Sequence, residues 1–231
     1  MQPVAVRRAH DMEKVYNYQR SYKLSRRSGN LIDLGKAGAF KEIILENRQP
    51  PEETVIGGRT FMSFHIINMP TGERVFTAFK SEEEPTVLLI VWGGIPFHLH
   101  IEEGGDLMLQ AMYMDKALRH LIIDNTHVRS LWMREKKTID YMENAWLPGL
   151  IHLGLKGMCH LQSEKLLGKI SFEEFGKFQS ESISRVAGRL GKQAFQYFPV
   201  RTSETDANGR FDARKRDLAI ARALEVLKSI K

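Results

Sequence analysis

The sequence predicts an α+β protein in which a central antiparallel β-meander of about four strands is followed by a mostly helical C-terminal half. Two observations carry this prediction. Between residues 61 and 101, short runs rich in β-branched and aromatic residues alternate with turn-forming residues. From Asp106 onward, apolar residues recur at the spacing of a helix. The predicted divisions are a basic, partly helical N-terminal arm (1–50), a β region (51–105) and a helical region (106–231) that packs with the β region in one compact domain.

The four strands are predicted in succession. Residues 61–68 and 74–80 flank a Pro-Thr-Gly turn, and Val75, Thr77 and Phe79 recur at every second position of 74–80, so a hairpin is predicted. Residues 86–92 are rich in Val, Leu and Ile and predict a buried strand. After Gly93-Gly94 the chain is expected to return as a fourth strand over 95–101.

Capping residues mark the predicted helices after the sheet. Asp106 is a candidate N-cap for a buried helix, and Asn125 or Thr126 for the next one. Ser171 and Glu174 match a capping box ahead of an amphipathic segment. The full set of predicted helices is 10–18 and 31–46 in the arm, 107–123, a helix from 125 or 126 that carries Val128 and Trp132, 150–167, 171–190, and a last helix with Ile220, Leu224, Leu227 and Ile230 on one stripe.

Composition indicates an ordinary globular protein. Hydrophobic residues make up 42% of the chain and charged residues 27%. The one cysteine, Cys159, excludes a disulfide-stapled fold and is expected to be a small buried hydrophobic side chain. No apolar segment follows the first arginines, and no apolar run reaches the roughly 20 residues of a transmembrane helix. A soluble, cytoplasmic protein is therefore expected.

The net charge of +6 is unevenly distributed along the chain. Residues 1–50 contain ten Lys/Arg and five Asp/Glu, residues 51–110 contain three and nine, and residues 111–231 contain twenty-one and fourteen. Polyanions bind where positive potential accumulates, so the two flanks are the candidate contact regions.

Two clusters of cations are the candidate nucleic-acid contacts. The first combines cations with an aromatic ring, a mixture suited to phosphates and stacked bases. The second opens the last helix, where cations oppose the helix dipole and so suggest a role other than helix stability. The first cluster comprises Arg20, Tyr22, Lys23, Arg26 and Arg27, and the second comprises Arg210, Arg214, Lys215 and Arg216. The alternatives for the first cluster are an anionic membrane surface or a solvated arm.

Residues 170–190 suggest a possible helix-turn-helix. In this interpretation Ser180, Ser182, Ser184 and Arg185 open a recognition helix. The link between the two halves is about one helical turn too short and has no turn glycine. One continuous amphipathic helix is the alternative.

His98 and His100 are the candidate metal ligands. On the predicted fourth strand, side chains two residues apart point to the same face, which suits a pair of ligands to a divalent metal. The surrounding residues, 93–104, resemble the first metal motif of cupin barrels, but the spacing from Gly93 to His98 is one residue short and no second motif follows. A solvated or backbone-bonded histidine pair without cofactor is the alternative.

Three function hypotheses follow. The first is a non-enzymatic nucleic-acid-binding or packaging protein that contacts DNA or RNA through its basic segments, with Arg185 as a further contact. The second is a self-associating structural protein of the viral or phage matrix or coat type, because basic ends beside an acidic middle permit head-to-tail contacts. The third is a metal-dependent enzyme that uses His65, His98 and His100.

Overall fold

The computed structural model describes residues 51–68, 72–129, 136–163, 172–202 and 212–230. The strands are β1 (Glu53–Ile56), β2 (Arg59–Asn68), β3 (Arg74–Lys80), β4 (Val87–Gly94), β5 (His120–Val128), β6 (Gly157–Ser163) and β7 (Gln196–Thr202). The helices are α1 (His98–Met114), α2 (Lys136–Tyr141), a π-helical turn (Met142–Trp146), α3 (Leu147–His152), α4 (Phe172–Leu190) and α5 (Ala213–Lys228). The predicted helices 10–18 and 31–46 lie outside the described residues.

All seven strands belong to one mixed sheet whose spatial order follows the chain, β1 to β7. β1 to β4 pair antiparallel, whereas β4 to β7 pair parallel. The prediction of both helices and strands is confirmed, but the four-stranded meander followed by a helical half is wrong. Because β5, β6 and β7 are part of the same sheet, the predicted boundary between a β region and a helical region at residue 105 is wrong too.

The errors share one cause, which is the change from antiparallel to parallel pairing. A parallel neighbour requires a crossover, and a helix usually forms it. Residues 98–114 form that crossover as α1, so the fourth strand predicted over 95–101 does not exist. The end of the helix predicted over 107–123 instead begins β5, and β6 occupies the second half of the helix predicted over 150–167.

Several elements agree with the sequence predictions. The hairpin of β2 and β3, the buried strand β4 and the last helix α5 form where their patterns indicate. Residues 172–190 form one continuous helix, so the helix-turn-helix interpretation is wrong.

The sheet separates two hydrophobic cores. Helices α1 to α4 cover one face, where they pack on side chains such as Ile90, Ile123 and Met158. Helix α5 covers the other face and packs on Leu89, Ile122 and others. Cys159 belongs to this second core with no exposed surface, and burial raises the pKa of its thiol to about 12. Its predicted role as a buried hydrophobic side chain is confirmed.

Candidate nucleic-acid interface

The parallel part of the sheet brings together four cations that are separated in sequence. Lys116 and Arg119 lie in the turn between α1 and β5, Lys156 immediately precedes β6, and Lys192 lies between α4 and β7. Parallel strands begin at the same edge of a sheet, so the segments that precede them meet there. We call Lys116, Arg119, Lys156 and Lys192 the amino-end cluster.

Backbone hydrogen bonds fix these segments side by side. The Lys156 N–H donates to the Arg119 carbonyl over 2.7 Å, and the Gln196 N–H donates to the Lys156 carbonyl over 2.9 Å. These bonds continue the ladders of β5, β6 and β7 by one residue, since His120, Gly157 and Gln196 are paired in register. The backbones of Arg119 and Lys156 are therefore fixed by the sheet, and Lys116 and Lys192 lie in the short segments that precede β5 and β7.

No member of the amino-end cluster pairs with a carboxylate of the described residues. Lys192 Nζ lies 3.2 Å from His152 Nδ1, and Lys116 Nζ lies 4.4 Å from the centre of the Tyr113 ring. Arg119 donates one bond to the Leu118 carbonyl. The charge of the cluster is thus not cancelled by direct ion pairs.

Elsewhere in the described parts of the chain, eight lysines and arginines contact carboxylates. They are Arg59, Arg74, Lys80, Arg129, Lys177, Arg185, Arg216 and Lys228. One of these pairs borders the cluster, because Asp115 is next to Lys116 and lies 2.9 Å from Lys80 Nζ. Asp115 is therefore already neutralised, and the cluster itself retains four positive charges.

The positive charges of the cluster lower the pKa of two histidines at this end of the sheet. Burial lowers the pKa of His152, and the positive charges of Lys192 and Lys116 lower it further. The pKa of His120 is lowered by burial and then by the charge of Arg119. The three cations act on the two imidazoles from two chain segments, the turn that carries Lys116 and Arg119 and the connection that carries Lys192.

Those of the predicted basic residues that the structure describes do not belong to the amino-end cluster. Arg20, Tyr22, Lys23, Arg26, Arg27 and Arg210 lie outside the described residues. Arg185, on α4, donates to Glu143 and to the Ser182 hydroxyl, so its guanidinium has carboxylate and hydroxyl partners within the fold. Arg214 and Lys215 are exposed in the first turn of α5.

Arg216 has a structural role. Its guanidinium donates to Asp124, whose carboxylate is fully buried and also accepts bonds from the Thr126 N–H and hydroxyl. This pair places the start of α5 near the middle of β5. The end of α5 approaches Gly157 at the start of β6, so Arg214 lies at the opposite end of the sheet from the amino-end cluster.

The histidine pair does not have the predicted strand geometry. His98 and His100 lie in the first turn of α1, where side chains two residues apart do not share a face. His98 Nε2 lies 3.4 Å from Glu102 Oε1, while His100 Nδ1 accepts a bond from the Phe97 N–H. Within the described residues, no three His, Cys, Asp or Glu side chains are placed to hold a metal ion.

Sequence analysis missed the amino-end cluster because it assigned Lys116 and Arg119 to a helix. In a helix these residues would have been scattered cations on a solvated face. The signal that could have found them is the run His120–Val128, in which Ile122, Ile123, Thr126 and Val128 are β-branched. With a strand there, the cations before it fall at the sheet edge.

Comparison with protein-family models, with curated proteins and with solved structures finds no match to this chain. None of the helices in the described parts of the chain combines the length and the apolar character needed to cross a membrane.

Proposed function

We propose that this protein binds nucleic acid and that the amino-end cluster holds the phosphate backbone. The observation that carries the proposal is the convergence of four cations from three chain segments, with no carboxylate partner among the described residues. A phosphate backbone gains most from cations whose charge is not already cancelled, since binding releases its condensed counterions.

The chemistry of the cluster favours a phosphate backbone over a membrane surface. Membrane-surface binding by a folded domain usually adds apolar side chains that enter the interface. The exposed large hydrophobic side chains of the described residues include Ile95, Phe97 and Leu99 at the start of α1, and none lies in residues 115–120, 152–157 or 191–196. Lysines and an arginine alone recognise phosphates without reading base sequence.

The basic segments predicted from the sequence remain part of this proposal as additional contacts. Residues 20–27 carry Arg20, Lys23, Arg26 and Arg27, and Tyr22 could stack on an unpaired base. Arg214 is exposed at the other end of the sheet. A nucleic acid that contacts both the amino-end cluster and Arg214 would have to extend from one end of the sheet to the other.

The proposal is tested by fluorescence anisotropy with labelled 20-nucleotide single-stranded DNA, single-stranded RNA and duplex DNA at 50 mM salt. The variant Lys116→Glu/Lys192→Glu reverses two charges of the cluster and should weaken binding about tenfold or more. The matched control is Lys136→Glu/Lys137→Glu, because these two lysines are exposed at the start of α2, after β5. It changes the net charge equally and should bind nearly as well as the unmodified protein.

Two results would contradict the proposal. One is the absence of binding by the soluble, unmodified protein to all three nucleic acids. The other is equal weakening by both double variants, which would indicate a response to net charge alone. Binding to vesicles rich in phosphatidylserine, without binding to nucleic acid, would assign the cluster to a membrane surface instead.

A further inference from the structure

One histidine contacts the amino-end cluster directly. His152 is the last residue of α3, and both His152 and Lys192 are exposed. Lys192 Nζ lies 3.2 Å from His152 Nδ1. A lysine ammonium has donors only, so Nδ1 accepts this bond and the imidazole is neutral in this arrangement. A titratable side chain therefore lies at the edge of the candidate phosphate site.

The charges that act on His152 from the surrounding described elements are both positive. Lys192 acts from the connection between α4 and β7, and Lys116 acts from the turn before β5. On its own helix, Leu147–His152, no other side chain is titratable. Burial and then these two positive charges lower the pKa of His152, so the protein without a bound anion disfavours the imidazolium.

The position of His152 at the end of a helix has the opposite effect. Helix α2, the π-helical turn and α3 follow one another without a break from residue 136 to residue 152. The carboxyl end of a helix carries partial negative charge, which favours a cation there. An anion bound near Lys192 would offset the repulsion by the lysines, and the imidazolium would then be favoured.

A phosphate would give both side chains an acceptor. A protonated imidazole has N–H donors at both nitrogen atoms, so it no longer accepts a bond from Lys192. Two donors whose nitrogen atoms lie 3.2 Å apart need a shared acceptor, and a phosphate oxygen is a suitable one. The one hydrogen bond between Lys192 and His152 would be replaced by two charge-assisted bonds to the phosphate.

We propose that His152 takes up a proton when the amino-end cluster binds nucleic acid, and that the imidazolium and Lys192 then hold the same phosphate. This inference rests on the nucleic-acid function proposed above and adds one contact residue to it. His120, the other histidine at this end of the sheet, does not fit the role, because its Nε2 is buried and its Nδ1 lies 3.3 Å from Thr86 Oγ1. Since proton uptake and binding are linked, affinity rises as the pH falls.

The test measures fluorescence anisotropy of each of the three labelled nucleic acids from pH 8.0 to pH 6.0 at constant ionic strength. The affinity of the unmodified protein should rise about three- to tenfold over this range. His152→Gln has no imidazole to protonate and should lose this increase. The matched control is His127→Gln, because His127 is also exposed but lies near the carboxyl end of β5, and this variant should keep the increase.

Isothermal titration calorimetry gives a second readout. Titrations at pH 6.5 in two buffers of different ionisation enthalpy count the protons taken up on binding. The unmodified protein should take up more protons than His152→Gln, by up to about one per bound chain. An equal proton uptake in these two proteins would overturn the inference.

The anisotropy results separate this inference from the function on which it rests. Binding with the same affinity at pH 8.0 and pH 6.0 would overturn the role of His152 and leave the nucleic-acid function standing. An equal increase in His152→Gln and the unmodified protein, or an equal loss of the increase in both histidine variants, would do the same. The absence of binding at every pH would overturn both proposals.

Discussion

His160 is a histidine that the fold keeps uncharged. It is 4% exposed in the middle of β6, where it contacts Asn125 and Tyr197 and packs edge-on against Phe175. Burial lowers its pKa to about 3, although the nearby negative charge of Asp124 opposes the shift. The ring can therefore accept and donate hydrogen bonds at neutral pH, but it cannot serve as a cation for phosphate.

This shift makes stability depend on pH. Between pH 6.5 and pH 3 the unfolded chain binds a proton at His160 and the folded chain does not, so the free energy of unfolding falls as the pH falls through this range. From pH 7 to pH 5 the contribution of this one group is about 2 kcal/mol. Urea unfolding at both pH values should show that His160→Gln loses less stability on acidification than the unmodified protein, by about that amount. An identical loss in both proteins would contradict this assignment.

At the scale of elements, two helical glycines have opposite surroundings. A Cβ on Gly104, in α1, would lie 2.6 Å from the Trp92 ring and 2.8 Å from the Phe76 ring. A Cβ on Gly188, in α4, would meet nothing within 4 Å. Gly104 therefore allows α1 to approach the sheet closely, whereas Gly188 has no packing role.

The two glycine-to-alanine substitutions should accordingly change stability in opposite directions. Gly104→Ala should lower the free energy of unfolding by about 1–3 kcal/mol, because the rings must move. Gly188→Ala should raise it by about 0.5–1 kcal/mol, because alanine favours the helix. Chemical denaturation of the two variants side by side measures both effects. A change of the same sign in both would show that the contact with the rings is not what distinguishes them.

The elements that sequence analysis predicted correctly are those whose own residues determine them. Strands β2 and β3 are rich in β-branched and aromatic residues on both sides of the turn-forming Pro70 and Gly72, and α4 has a long helical stripe, so local pattern suffices. One stripe member behaves differently, since Phe178 is 42% exposed although it has helical spacing with buried Phe175. The pattern locates the helix but does not determine which of its side chains the sheet will cover.

Strands β5 and β6 could not be predicted in this way. Both are covered on each face, as Ile122 and Ile123 show by packing into different cores. A strand buried on both faces has a continuous apolar run without alternation, and such a run is also found in a buried helix. What decides between strand and helix is the parallel neighbour, β4 for β5 and then β5 and β7 for β6, and each neighbour lies more than twenty residues away in the chain.

At the scale of the whole molecule, the assignment of β5 and β6 to helices also concealed the candidate site. Sequence analysis selected the predicted arm and the C-terminal cations because their basic residues lie close together in the sequence. The residues of the amino-end cluster lie close together only in the folded chain. Its members are spread from Lys116 to Lys192, and the parallel sheet alone brings their segments together. Charge counts by segment located the basic regions of the chain but could not identify which cations share a surface.

The salt dependence of nucleic-acid binding tests this account most directly, because it counts the phosphates that are neutralised. Affinities of the unmodified protein and of both double variants are measured from 50 to 300 mM salt. For Lys116→Glu/Lys192→Glu, the slope of log affinity against log salt should become shallower by about 1.4–1.8, the share of two phosphate contacts. The slope for Lys136→Glu/Lys137→Glu should match that of the unmodified protein. An unchanged slope for the cluster variant, or an equal change in the control, would contradict the assignment of phosphate binding to the amino-end cluster.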